Sequence, residues 1–320
     1  MCALTGLMFA QPGTQPRNDL PQPFRTVRDW AKPPNGVPWA AVTAIEVAKD
    51  GTIFVIHRCK DNSCKDRPEP PILKFDASGK LLQAWGEKMF VFPHGATLDP
   101  QGNLWVTDSQ NHVVYKFTSS GKLLMTLGTA GKPSEANGQF DEPTDVVVAS
   151  NGDIFITEGH SGGTKGNDRV SKFDKNGKFL MTWGKHGTGP TEFFSPHTIA
   201  LDSRGRLLIG DRDNNRIQIY DQKGKYITTW TQWGRPSGIF IAKDDTMYVA
   251  DSESWGPDQP GVKKGIRIGS AKDGSVREFI EDMESMTQDH SGAEAVGVDA
   301  SGNVYGGVVR RQMLEKHIRK

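Results

Sequence analysis

The sequence predicts an all-β chain folded as a six-bladed β-propeller. Three observations lead there. One short phrase recurs six times, each recurrence opens a unit that reads as short strands, and the strand lacking in the last unit is found near the N-terminus. The phrase is roughly Pro-x-x-apolar-x-apolar-Asp-x-x-Gly, followed by an apolar strand ending in an acid. Its clearest copies are PHGATLDPQGNLWVTD from Pro93, PTDVVVASNGDIFITE from Pro143 and PHTIALDSRGRLLIGD from Pro196. Weaker copies start at Ala41, Pro236 and Ala293. Anchored on the turn residues Gly51, Gly102, Gly152, Gly205, Asp245 and Gly302, the position eight earlier is Thr43, His94, Thr144, His197, Ser237 and Glu294. Their spacings are 51, 50, 53, 40 and 57 residues. A period near fifty is the range of four-stranded propeller blades.

Each unit reads in the same order. An apolar first strand (Ala96–Asp99, Val146–Ala149, Thr198–Asp202) leads into a hairpin turn, DPQGN, ASNGD or DSRGR. A second apolar strand follows, LWVTD, IFITE or LLIGD. The third alternates, as in ILKFD at Ile72 and RIQIYD at Arg216, which is the period-two pattern of a half-buried strand. A Gly-Lys turn opens the fourth at Gly79, Gly121, Gly177 and Gly224, and Trp85, Trp183 and Trp230 recur there as structural residues. In the last unit the chain ends after a third strand, Leu314–Ile318. PFRTVRDWAK from Pro23 resembles a fourth strand, so Phe24 to Trp30 is expected to close the ring and remove an open edge. Residues 1–22 read as a signal-peptide remnant or disordered arm, and 23–320 as a single propeller domain.

Composition fits this reading. Thirty-six glycines and 19 prolines among 320 residues suit a turn-rich chain. A formal net charge of +1 argues neither for nucleic acid nor for an anionic membrane surface, so no nucleic-acid partner is expected, and no run is long and apolar enough to span a bilayer. The expected partner is a small or peptide-like substrate, and the expected state a monomer. Ala3 to Ala10 looks like the tail of a secretory signal. Export, to the periplasm or the medium, would make a disulfide between Cys59 and Cys64 the natural outcome.

In a ring of six, the six anchored positions are equivalent. His94, His197 and Glu294 then lie on alternate blades and converge on the axis, a ligand set for one divalent metal: zinc first, with iron or manganese possible. Thr43, Thr144 and Ser237 lie between them, as substrate hydrogen-bonding groups or as channel filler. The second-strand ends give His57, Asp108, Glu158, Asp211 and Asp251, read as acids and a histidine that hold blade hydrogen bonds. One position further are Arg58 and Arg212, which can clamp a substrate carboxylate. His160, in the glycine-rich EGHSGG, is a candidate general base.

DRDNNRIQIYDQKGKYITTWTQWGRPSGIFI and WGKHGTGPTEFFSPHTIALD resemble the NHL-repeat consensus. Among NHL propellers the chain resembles the peptidyl-α-hydroxyglycine α-amidating lyases, from about Ala41 onwards. FVFPHGATLDPQGNLWVTD and SPHTIALDSRGRLLIGD look like the segments carrying that family's first two zinc histidines, which implies His94 and His197. IHRCKDNSC looks like the segment carrying its substrate arginine, which implies Arg58. Three positions depart. The third zinc histidine falls on Glu294. The aspartate after it, a calcium ligand in the family, is Ala295, which argues against calcium there. The catalytic tyrosine falls on His160. The resemblance implies a metal-dependent lyase acting on a hydroxy-carboxylate substrate. The alternatives are a metal-dependent, lactonase-like hydrolase and a non-enzymatic ligand- or protein-binding propeller.

Overall fold

The computed structural model describes residues 15–160, 167–257, 259–289 and 292–320. The signal-like segment Ala3 to Ala10 lies outside the described residues. Six antiparallel sheets of four strands account for nearly all of the regular structure. Blade one is Val42–Val47, Ile53–His57, Ile72–Phe75 and Leu81–Trp85; blade two is Pro93–Leu98, Leu104–Asp108, Val113–Phe117 and Leu123–Gly128. Blade three is Pro143–Val148, Ile154–Glu158, Arg169–Phe173 and Phe179–Trp183; blade four is Pro196–Leu201, Leu207–Asp211, Arg216–Tyr220 and Tyr226–Trp230. Blade five is Gly238–Ile241, Thr246–Asp251, Gly265–Ser270 and Val276–Glu281. Blade six is Ala293–Val298, Val304–Val308 and Met313–Arg319, completed by Phe24–Val27 from the N-terminus.

The closing strand is thus the expected one, three residues shorter than the sequence pattern suggested. Phe24 pairs with Arg319 and Val27 with Lys316. Residues just before it also pack on blade five, where the Phe279 amide donates to the Pro21 carbonyl and the Lys263 amide to Asn18.

Each blade's first strand contacts the first strands of both neighbouring blades, so these six line the axis. Apolar residues on the second and third strands fill the space between blades. Leu104, Val106, Val113 and Phe117 pack against Phe54, Ile56 and Trp85 of blade one. Blade four repeats this with Phe193, Leu207, Ile209 and Tyr220 against Phe155 and Val170. The second strands of blades one to four are buried on both faces, which explains their continuous apolar runs.

Five of the six inner strands share a local irregularity that matters for the site. Pairing with the second strand slips between Val42 and Ala44, Pro93 and Ala96, Pro143 and Asp145, Pro196 and Thr198, and Ala293 and Ala295. The residue inside each slip is Thr43, His94 (with Gly95), Thr144, His197 or Glu294. A bulge leaves one residue unpaired and re-aims its side chain. Gly95 allows the close approach this needs, since a Cβ there would lie 2.6 Å from the Thr144 carbonyl oxygen.

Candidate metal centre at the propeller axis

The bulged residues meet at the axis. His94 and His197 are almost wholly buried, and their Nε2 atoms are 3.1 Å apart. His94 Nδ1 is 2.8 Å from the Thr144 carbonyl oxygen, and His197 Nδ1 is 2.7 Å from that of Ser237. A carbonyl oxygen only accepts, so each Nδ1 carries the hydrogen and each Nε2 presents a lone pair. Such second contacts are how metal-binding histidines are usually oriented. Burial, above all, holds both imidazoles well below the ordinary histidine pKa. Arg212 and the other histidines add to this at His197; His160, Arg58 and Arg212 do so at His94.

A third ring joins them from an unexpected place. His160 sits just past the second strand of blade three, half-buried, with its ring centroid 4.7 Å from His94 and 5.7 Å from His197. One nitrogen from each of the three histidines lies within 4.8 Å of the other two. Burial first, then Arg58 and Arg212, pushes the His160 pKa down to about 3. Glu294 approaches as well, with Oε1 3.7 Å from His94 Nε2 and 3.4 Å from Arg58 Nη2.

Arg58 is 2% exposed and fixed on several sides. Its guanidinium lies 3.7 Å from the centroid of Phe92, Nε donates to the Pro93 carbonyl, and Nη1 donates to Asn62. Burial lowers its pKa to about 10, so it stays charged at neutral pH. Cys59 and Cys64 form a disulfide in the loop that follows Arg58. Arg212 belongs to a second charged group, within 3.4 Å of Asp213 and 3.3 Å of Glu253 on the next blade. Arg235 also reaches both acids.

The intervening hydroxyls brace the histidine strands. Thr43 donates to the Pro93 carbonyl and Thr144 to that of Pro196, the residues just before His94 and His197. Ser237 pairs with Ser252. The second ring does the same from outside. Asp108 accepts from the Val91 and Phe92 amides and Asp211 from that of Phe194; Asp168, just before the third strand of blade three, adds an acceptor for the Ser195 amide. A cavity of about 40 Å³ extends from His94 and His197 down the channel, away from Arg58 and His160, and has room for an ion or a few waters.

Sequence reasoning did not single out Phe92, which lies between Arg58 and His160, its ring centroid 5.4 Å from that of His160. It was legible only as the aromatic of the FVFPHG motif. The Asp213–Arg235–Glu253 group left no such signal.

Family models match two parts of the chain. The NHL repeat matches residues 90–117, and DUF5128, a 6-bladed beta-propeller, matches 142–233. The chain folds as a six-bladed β-propeller and carries an NHL repeat at residues 90–117. Peptidyl-alpha-hydroxyglycine alpha-amidating lyase 1 of Drosophila melanogaster is 33% identical over 205 residues, 56% of this chain and 37% of that protein. Lyase 2 of the same organism is 33% identical over 219 residues, 62% of this chain and 51% of that protein. NHL repeat-containing protein 3 of Homo sapiens is 38% identical over 153 residues, 45% of this chain and 43% of that protein. The propeller therefore spans about half or less of these relatives. Among solved structures, a streptogramin B lyase superposes with a TM-score of 0.59 at 14% identity, covering 93% of this chain and 98% of the other. A gluconolactonase from Xanthomonas campestris superposes at 0.61 and 13% identity, covering 97% and 98%. At these identities the likeness is one of fold.

Proposed function

We propose that this propeller is a divalent-metal-dependent lyase for a peptide-like substrate bearing a hydroxyl and a carboxylate, of the peptidyl-α-hydroxyglycine type. One observation carries the metal reading: two Nε2 lone pairs face each other 3.1 Å apart. Two acceptors at that distance repel unless a cation lies between them. Two nitrogens on a tetrahedral zinc would be about 3.3 Å apart, given bonds of about 2.0–2.1 Å. The donor set therefore fits such an ion.

In this reading His94, His197 and His160 hold the metal. His160 takes the third place, which the sequence pattern gave to Glu294, because its nitrogen lies in the same cluster. Three imidazoles suit zinc and also accept iron or manganese. A bound divalent ion would supply Lewis-acid stabilisation of negative charge on a substrate oxygen. Glu294, poised between His94 and Arg58, accepts the hydroxyl proton. Arg58 offers its fork to the substrate carboxylate, held in place by Phe92 and Asn62. Loss of that proton lets the carbinol oxygen form a carbonyl as the C–N bond breaks. Glu294 returns that proton to the departing nitrogen, which leaves as the amide, and the carbon fragment leaves as glyoxylate.

The named activity of the lyase relatives supports this substrate class. The Cys59–Cys64 disulfide is compatible with export, and we infer an exported monomer.

The test is elemental analysis of chelator-free protein, followed by incubation with an N-acyl-α-hydroxyglycine. About one metal per chain, with release of amide and glyoxylate in equal amounts, is expected. His94→Ala, His197→Ala and His160→Ala should each lose the metal while the β-rich circular dichroism persists. Glu294→Gln should keep the metal and lose turnover. Protein that takes up no zinc, iron or manganese refutes the reading. Lactone hydrolysis without cleavage of the hydroxyglycine would replace it with the hydrolase.

A further inference from the structure

Asp168 touches the segments that carry two of the three axial histidines, and the proposed chemistry gives it no part. It is 2% exposed and lies just before the third strand of blade three. Its Oδ1 accepts from the Ser195 amide at 2.9 Å, two residues before His197. The same oxygen lies against Gly159, the residue before His160, so closely that a Cβ there would collide with it. Gly159 has a φ of +122°, a backbone conformation that favours glycine. Oδ2 of Asp168 is 2.5 Å from His186 Nδ1; a carboxylate only accepts, so Nδ1 carries the hydrogen. His186 belongs to the loop that leads into blade four, is half-exposed, and meets Phe194 edge-on with ring centroids 4.9 Å apart. Burial pushes the Asp168 carboxyl up to about 6, and the His186 and Ser195 donors oppose that rise. The other blades carry Pro71, His112, Asn215, Lys264 and Gln312 at this register, so the repeat does not itself demand an acid here.

We propose, resting on the metal reading above, that Asp168 is a positioning residue for the axial metal and that His186 is the donor that holds it in place. Asp108 and Asp211 accept amides that lead into their own blades. Asp168 instead reaches from blade three to blade four. One carboxylate thereby fixes the backbone before His197 relative to the backbone before His160. That spacing decides whether the third imidazole reaches an ion held by the other two. Outer partners of this kind orient ligands and tune affinity without touching the ion.

Chelator competition and the visible ligand-field bands of the cobalt(II)-loaded full chain read the placement of the third imidazole. Asp168→Ala and Gly159→Ala should each weaken metal binding by about ten- to a hundredfold and alter the cobalt bands. His186→Ala, at a half-exposed position, should weaken binding by about tenfold with little change in melting temperature. His186→Asn, whose amide can stand where Nδ1 does, should recover most of that loss. Lys185→Ala, on the exposed side of the same loop, should change neither affinity nor bands. Asp168 and Gly159 variants that melt lower yet keep wild-type affinity and bands would show a structural role only and overturn the proposal. A His186→Ala loss that His186→Asn does not recover would remove His186 from it. Wild-type protein that takes up no metal fails at the axis itself, and both readings fall; wild-type protein that binds no better than the variants sinks this one alone.

Discussion

Removing residues 1–31 should unfasten the ring, and the structure sets the scale. The deletion takes away Phe24–Val27, the fourth strand of blade six, and exposes the edge of Met313–Arg319. Phe24 is 2% exposed and packs with Tyr248, Ile266 and Ile280 of blade five. Truncating such a phenylalanine alone costs about 3–5 kcal/mol. The deletion also removes Trp30 from its place 4.9 Å from the Tyr305 ring, and the Arg28–Glu315 ion pair. Since domains are typically stable by only about 5–15 kcal/mol, the truncated chain should be marginal or unfolded. Phe24→Ala is the gentler form. At roughly 2 °C per kcal/mol for a large domain it should melt roughly 6–10 °C lower. Differential scanning calorimetry and size-exclusion chromatography provide the readout. A truncated protein that elutes as a monomer with an unchanged melting temperature would show that the N-terminal strand does not fasten the propeller.

Other outcomes follow from the axial geometry. Asp108→Asn replaces the acceptor of the Val91 and Phe92 amides, in the segment that leads into His94. It should cost about 1–3 kcal/mol and weaken metal affinity by roughly ten- to a hundredfold, measured by competition with a chelator. Arg58→Ala should keep the metal but lose turnover of carboxylate substrates, and Arg58→Lys should not rescue it, because an ammonium lacks the planar fork. In the channel, burial raises the Glu46 pKa to about 8. The folded state therefore keeps a proton that the unfolded chain releases above about pH 4.5. That contribution is fully present below pH 4.5 and is lost as pH rises towards 8. Glu46→Gln, which can still accept from Leu98, should thus be more stable than wild type at pH 8 and show little advantage near pH 5 in urea titrations.

Much of the molecule was legible because its information is local. Alternating and continuous apolar runs identified the strands, and a recurring turn residue set their register. That register alone put His94 and His197 on alternate blades, and the structure brings their Nε2 atoms together. The closing strand was visible because Phe24–Trp30 repeats the chemistry of a fourth strand. The acids of the second ring were read as holders of blade hydrogen bonds, as Asp108, Asp211 and Asp251 are.

What the sequence by itself determined was therefore the repeat, the number of blades, the closure and the two histidines that share a register position. Only the tertiary structure decided what completes the cluster around them. His160 follows the second strand of blade three and has no registered partner in the other blades, so no spacing could place its ring 4.7 Å from His94. Glu294 does hold the registered position, yet it shares its carboxylate with Arg58, a residue 236 positions away. Strand periodicity propagates along the chain and can be read from it. The direction a loop takes over the channel mouth, and the partner a buried charge selects there, depend on side chains that meet only once the ring has closed.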